Sequence, residues 1–158
     1  MTERENEPKG TEETRAGAEN GFPFRWPVPT RFSDVDVGGH AHHSHALVYF
    51  EEARTAYWTR ATGRSDPMDV DYILAEVQVR YHARILYPQR LDVGVRLGRV
   101  GRKHFDLQYE ILSEEGGRLA SGHSVQVMYD YHTGRSVRLS AELVERLRAF
   151  EREGSPEA

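Results

Sequence analysis

With 158 residues the chain suits one domain with a core of its own, and the absence of cysteine excludes disulfides, thiolate metal sites and a cysteine nucleophile. A formal net charge of -4 argues against nucleic acid as a partner, because a nucleic-acid binder carries a basic surface. No apolar run approaches the roughly 18 residues of a membrane span, and the N-terminus lacks the apolar core of a secretory signal, so a cytoplasmic protein without membrane contact is expected.

Residues 1–21 carry many Glu, Gly and Thr and almost no large apolar side chain, which predicts a disordered tail. The domain is expected over residues 22–151, with a flexible C-terminus from 152 to 158. Phe24, Trp26, Val28, Thr30 and Phe32 alternate with polar residues and prolines, the pattern of an edge strand. Asp34-Val35-Asp36-Val37-Gly38-Gly39 is a turn. Ala46, Leu47, Tyr49, Phe50, Ala53, Ala56 and Tyr57 then recur at helical spacing, predicting a helix over about 45–61 with Ser44 as N-cap and Gly63 as stop.

Four alternating rows follow. The first is Ile73, Ala75, Val77, Val79 and Tyr81, and the second Leu91, Val93, Val95 and Leu97. Phe105, Leu107, Tyr109 and Ile111 make the third. The fourth is Leu119, Ser121, His123, Val125, Val127 and Tyr129. Short turns at Val100-Gly101 and Glu115-Gly116-Gly117 predict antiparallel hairpins. Leu143, Leu147 and Phe150, after Ser140, give a short closing helix. The fold class is therefore α+β: an antiparallel curved sheet of about five strands wrapped around a long central helix.

The chemistry concentrates between Thr30 and Arg54. A carboxylate and a glycine turn precede a helix start, whose unpaired N–H groups favour a developing anion. A thioester carbonyl placed there would be polarised, and a neighbouring aspartate could attack it or deprotonate a water. Taken alone, Asp36 reads more readily as a turn or capping residue than as a reacting one. Four histidines in the six residues His40-Ala41-His42-His43-Ser44-His45 raise the question of a metal, yet they lie at a turn-to-helix junction that by itself gives them no convergent geometry, and none is expected.

This segment resembles the signature of the 4-hydroxybenzoyl-CoA thioesterase family of hotdog proteins, in which an Asp-x-Asp-x-x-Gly turn leads into the central helix. Tyr49-Phe50-Glu51-Glu52-Ala53-Arg54 is similar to that family's helix motif. Residues 81–88, 100–105 and 130–135 resemble its later strand and turn motifs. The resemblance implies an acyl-CoA thioesterase with the CoA thioester as substrate and no cofactor, and an assembly of two or four identical chains. It implies that Asp36 is the catalytic carboxylate and that the backbone N–H near His43 holds the oxyanion. It also implies that Arg102 and Lys103 contact the CoA phosphates. Gly39, His40 and His104 are expected beside the substrate, and Glu51 either orients water or substrate or forms a structural ion pair. The His40–His45 lead-in departs from the family's usual wording and leaves the side-chain roles there open. Two other readings also stand: a thioesterase for acyl groups on a carrier protein, and a binding module without catalysis.

Overall fold

The computed structural model describes residues 21–154. The predicted N-terminal tail falls outside them except for Gly21, as do the last four residues. The order is β1 (Phe24–Pro29), a 3-10 turn (Phe32–Asp34), α1 (His45–Thr62), β2 (Tyr72–Tyr81), β3 (Arg90–Val100), β4 (His104–Leu112), β5 (Arg118–Asp130), β6 (Arg135–Ser136) and α2 (Ala141–Glu153). The strands lie in the order β1-β3-β4-β5-β2, all neighbours antiparallel, with the two-residue β6 appended to the end of β5. This is the expected curved sheet with a long helix packed against it. Arg152 and Glu153, assigned to a flexible end by the sequence, continue α2.

Helix α1 forms where its periodicity places it, one residue longer than expected, and ends at Gly63, whose φ of 68° needs no Cβ. Ser44 does not cap it: this residue is already helical, at φ -67° and ψ -23°, and its side chain makes no capping bond. Ser140 does cap α2, accepting from the Leu143 N–H at 3.1 Å. The aromatic face of α1 fills the curve of the sheet. Phe50 stacks on Tyr109 with centroids 4.4 Å apart, Trp58 on Phe105 at 5.1 Å, and Tyr57 meets Phe24 edge-on at 5.6 Å. Each of these fully buried side chains contributes roughly 1.5–3 kcal/mol by leaving water.

Three sequence expectations change. Phe32 leaves the first strand for the 3-10 turn and is 78% exposed. On β5 the inward row is Ala120, Gly122, Ser124, Gln126 and Met128, opposite the more apolar row that the alternation favours. Phe50 supplies the bulk at the middle of that row, where a Cβ on Gly122 would meet its ring at 2.6 Å. On β2 a bulge between Leu74 and Glu76 shifts the alternation. Ile73 therefore does not share a face with Val77, Val79 and Tyr81.

Candidate functional site

The turn before α1 is a small closed hairpin. Val35 bridges Ala41, the Asp36 N–H bonds the His40 carbonyl at 3.0 Å, and the His42 N–H bonds the Asp34 carbonyl at 2.8 Å. Gly39 makes the reversal at φ 76°, and its missing Cβ leaves open space above the turn. The loop after β2 fixes the hairpin in place, because Ala41 donates to the Ile85 carbonyl at 2.8 Å.

The two aspartates of the turn lie in different surroundings. Asp34 is 2% exposed, accepts Tyr49 Oη at 2.6 Å and the Arg31 N–H at 2.9 Å, and lies 3.2 Å from His45 Nδ1. The His45 contact is close without being aligned as a hydrogen bond. Burial alone would raise the Asp34 pKa; the Tyr49 hydroxyl, the Arg31 amide and His45 more than offset it, and the carboxyl sits below its ordinary value. Asp34 is thus an ionised anchor for the helix start. Asp36 is only half-buried. Its Oδ1 accepts the Gly38 N–H at 2.7 Å, and its second oxygen has no protein partner among the described residues. A Cβ on Gly38 would stand 3.0 Å from Asp36 Oδ1 and 3.0 Å from His40 Nε2, so these two side chains flank the same glycine. His40 Nδ1 faces the Ala41 carbonyl at 3.1 Å.

At the helix start the His43 N–H finds no acceptor among the described residues, while its carbonyl receives the Tyr81 hydroxyl from the end of β2. That contact pins the first turn of α1 to the sheet. Tyr49 and Tyr81 are therefore part of the framework of the site, and sequence reasoning missed both. Nothing local marks them, since their partners lie 15 and 38 residues away.

The histidines diverge. His42 and His43 lie with ring centroids 3.9 Å apart, His45 turns to Asp34, and His40 turns to Gly38. Among the described residues no group of three or more His, Cys, Asp or Glu is arranged to hold a metal ion.

The remaining candidates are not brought to the turn within one chain. Glu51 is exposed on the outer side of α1, beside Val48 and Thr55, about 12 Å along the helix axis from His43. Arg102 and Lys103 form the β3–β4 hairpin, and the Lys103 carbonyl accepts the N–H of Met128, which pairs with Tyr72 at the start of β2. Tyr81, beside His43, is the other end of that strand, roughly 30 Å away along its length. Lys103 Nζ is tied to the Ser136 carbonyl and hydroxyl at 3.3 and 3.1 Å, and the His104 ring folds back over Gly101.

The description thioesterase-like superfamily belongs to a family model that matches residues 30–147. An uncharacterized Bacillus subtilis protein, YsmA, is 28% identical over 126 residues, which span 80% of this chain and 86% of that one. A Thermus thermophilus thioesterase, solved in complex with coenzyme A and zinc, is 32% identical with a TM-score of 0.75, covering 83% of this chain and 96% of that one. A DHNA-CoA thioesterase from Staphylococcus aureus has a TM-score of 0.71 at 20% identity, over 84% of this chain and 95% of that one, a likeness of fold alone.

Proposed function

Because the chain belongs to the thioesterase-like superfamily and is thereby a thioester hydrolase of the hotdog fold, we propose that it cleaves an acyl-CoA thioester to a free acid and CoA, with Asp36 as the reacting carboxylate. One observation carries the assignment. A carboxylate with a free oxygen precedes, by one short hairpin, a helix-start amide that has no acceptor of its own. The N–H of His43 and the positive end of α1 stabilise the oxyanion that forms when the thioester carbonyl is attacked.

Two routes fit this chemistry. In the first, the free Asp36 oxygen bonds to the carbonyl carbon, the C–S bond breaks, the thiolate takes a proton from water, and a second water hydrolyses the mixed anhydride. In the second, Asp36 takes a proton from a water whose oxygen attacks the carbonyl, and the departing sulfur receives that proton. Single turnover in oxygen-18 water separates them, since only the anhydride route can place label in the Asp36 carboxylate. Gly39, without a Cβ, leaves the approach clear, and His40 stands beside the carboxylate where the substrate or a water enters.

The phosphate grip then belongs to a second copy of the chain. Strands β1 and β2 are the two edges of the sheet; β1 carries Pro27 and Pro29, which cannot donate to a ladder, so β2 is the edge suited to pairing, and Leu74 and Tyr81 on its inner side are 41% and 47% exposed. An unpaired edge of this kind seeks a strand. Symmetric antiparallel pairing of two β2 edges sets the Tyr72 end of one copy beside the Tyr81 end of the other. Arg102 and Lys103 of one copy then approach Asp36 of the other. The test mixes Asp36→Asn protein with Arg102→Ala/Lys103→Ala protein at low substrate. Recovered activity requires a shared site, and no recovery between variants shown to exchange chains refutes it. Light scattering that finds only monomer refutes it as well.

A further inference from the structure

The face of the sheet turned away from α1 carries a cleft of its own. Ser121 on β5 pairs with Arg80 on β2 and with Glu110 on β4, and residues directly opposite in a ladder share a face. With Phe22, His82 and Arg118 these three line a cavity of about 730 Å³. Tyr81 points the other way, to His43, so the cleft and the helix start lie on opposite sides of the sheet.

Within the cleft His82 Nε2 lies 2.8 Å from Ser121 Oγ. The backbone sets the place of the ring, because the N–H groups of His82 and Ala83 both donate to the Leu119 carbonyl, at 2.9 and 3.2 Å. Burial lowers the His82 pKa, and the charges of Arg118 and Arg80 lower it further. The imidazole is therefore neutral at pH 7 and, with a proton on Nδ1, can take the one on Ser121. Positive charge is in surplus here. Glu110 is shared between Arg25 and Arg118, and Arg80 has no carboxylate partner among the described residues. Core packing does not explain the pair, since His82 is exposed and Ser121 only half-buried. A hydroxyl bonded to a neutral base inside a cationic cleft is the arrangement of an activated nucleophile.

We propose that Ser121 and His82 form a second hydrolytic centre, for carboxylic esters that carry an anionic group and a good leaving group. His82 Nε2 takes the Ser121 proton as Oγ bonds to the ester carbonyl carbon. The bond from that carbon to the leaving oxygen then breaks, and the departing oxygen receives the proton from His82. A water that gives its proton to His82 attacks the acyl-serine; the acid leaves, and Ser121 recovers the proton. Arg80 and Arg118 attract the anionic group and stabilise the oxyanion. The centre needs nothing from Asp36, so it stands or falls apart from the thioesterase reading.

The experiment uses meta-acetoxybenzoate and its uncharged amide analogue, with Asp36→Asn protein as the background in which hydrolysis through Asp36 is removed. That protein is expected to favour the anionic ester by about tenfold in kcat/KM, the size of a charge-assisted contact. Adding Ser121→Ala or His82→Gln should lower the rate on meta-acetoxybenzoate by at least about tenfold. Adding Arg80→Gln should remove the preference and spare the uncharged ester. Rapid quenching and peptide mapping of the unsubstituted protein should find acetyl on Ser121, a readout that depends on no variant folding. Ser121 free of acetyl during turnover overturns the proposal. So do equal rates on the two esters, an unaltered rate in folded Ser121→Ala or His82→Gln protein, and ester hydrolysis that Asp36→Asn alone abolishes.

Discussion

Tyr49 Oη donates to Asp34 Oδ2 at 2.6 Å, joining the first turn and a half of α1 to the hairpin that carries Asp36. Both groups are buried, so each satisfies a polar atom that water cannot reach. Tyr49→Phe is expected to cost about 1.5–3 kcal/mol, the range for a hydrogen bond to a charged group. The pH dependence has a defined sign. The folded-state pKa of Asp34 lies below its ordinary 3.8, so its contribution is present above that value and is lost as the pH falls through the depressed one. Urea denaturation at pH 7 and pH 3 should show a larger acid loss in the wild type than in Tyr49→Phe, because the variant has already given up part of the shift. Equal losses in both would show that Tyr49 does not hold Asp34 ionised.

Asp36→Asn and Asp34→Asn should separate chemistry from scaffold. Asparagine at 36 keeps the turn, since its side-chain oxygen can still accept the Gly38 N–H. Stability should therefore stay near wild type while hydrolysis falls by at least about a hundredfold. Asparagine at 34 retains shape but removes the buried charge that Tyr49, Arg31 and His45 surround, so the loss should appear first in the unfolding midpoint. A folded Asp36→Asn protein with near-normal turnover would remove Asp36 from the chemistry.

The Tyr81 hydroxyl on the His43 carbonyl supports the proposed oxyanion donor from behind. Burial raises the Tyr81 pKa, so the phenol remains a donor throughout the neutral range. Tyr81→Phe frees the helix start to fray, and kcat is expected to fall by roughly tenfold, within the span of one oxyanion-hole contact. KM for the coenzyme A thioester should change much less, because the proposed phosphate grip, Arg102 and Lys103, is untouched. A variant with altered KM and normal kcat would place Tyr81 in substrate binding instead.

What the sequence made legible was local. The span of α1, the hairpins at Gly101 and Gly116, and the inward row Phe105, Leu107, Tyr109 and Ile111 all follow from periodicity and turn residues within a dozen positions. The motif drew attention to Asp36, while the buried contacts of Asp34 with Tyr49 and His45 left no mark in it. The lost information was non-local. Alternation on β5 points to Leu119, Val125, Val127 and Tyr129, but the face a strand buries depends on what lies across from it. Here that includes Phe50, whose ring lies where a Cβ on Gly122 would stand. The distance from Arg102 to the helix start is likewise set by the β2–β5 pairing, which no short motif records.

Gly122 tests that packing argument. A Cβ there would come within 2.3 Å of the Gln78 carbonyl oxygen and 2.6 Å of Phe50 Cε2. Phe50 cannot retreat easily, being fully buried and stacked on Tyr109. The Gln78 carbonyl belongs to β2, where Val79 pairs directly with Gly122. Gly122→Ala must therefore either push the edge strand outward or tilt the ring, an overpacking expected to cost about 1–3 kcal/mol. Both routes deform the seam between α1 and β2, where Tyr81, two residues beyond Val79, holds His43. Urea denaturation should show the loss directly, and hydrolysis should fall with it even under conditions where the variant is fully folded. Wild-type stability for Gly122→Ala would mean that this row of β5 does not face the helix.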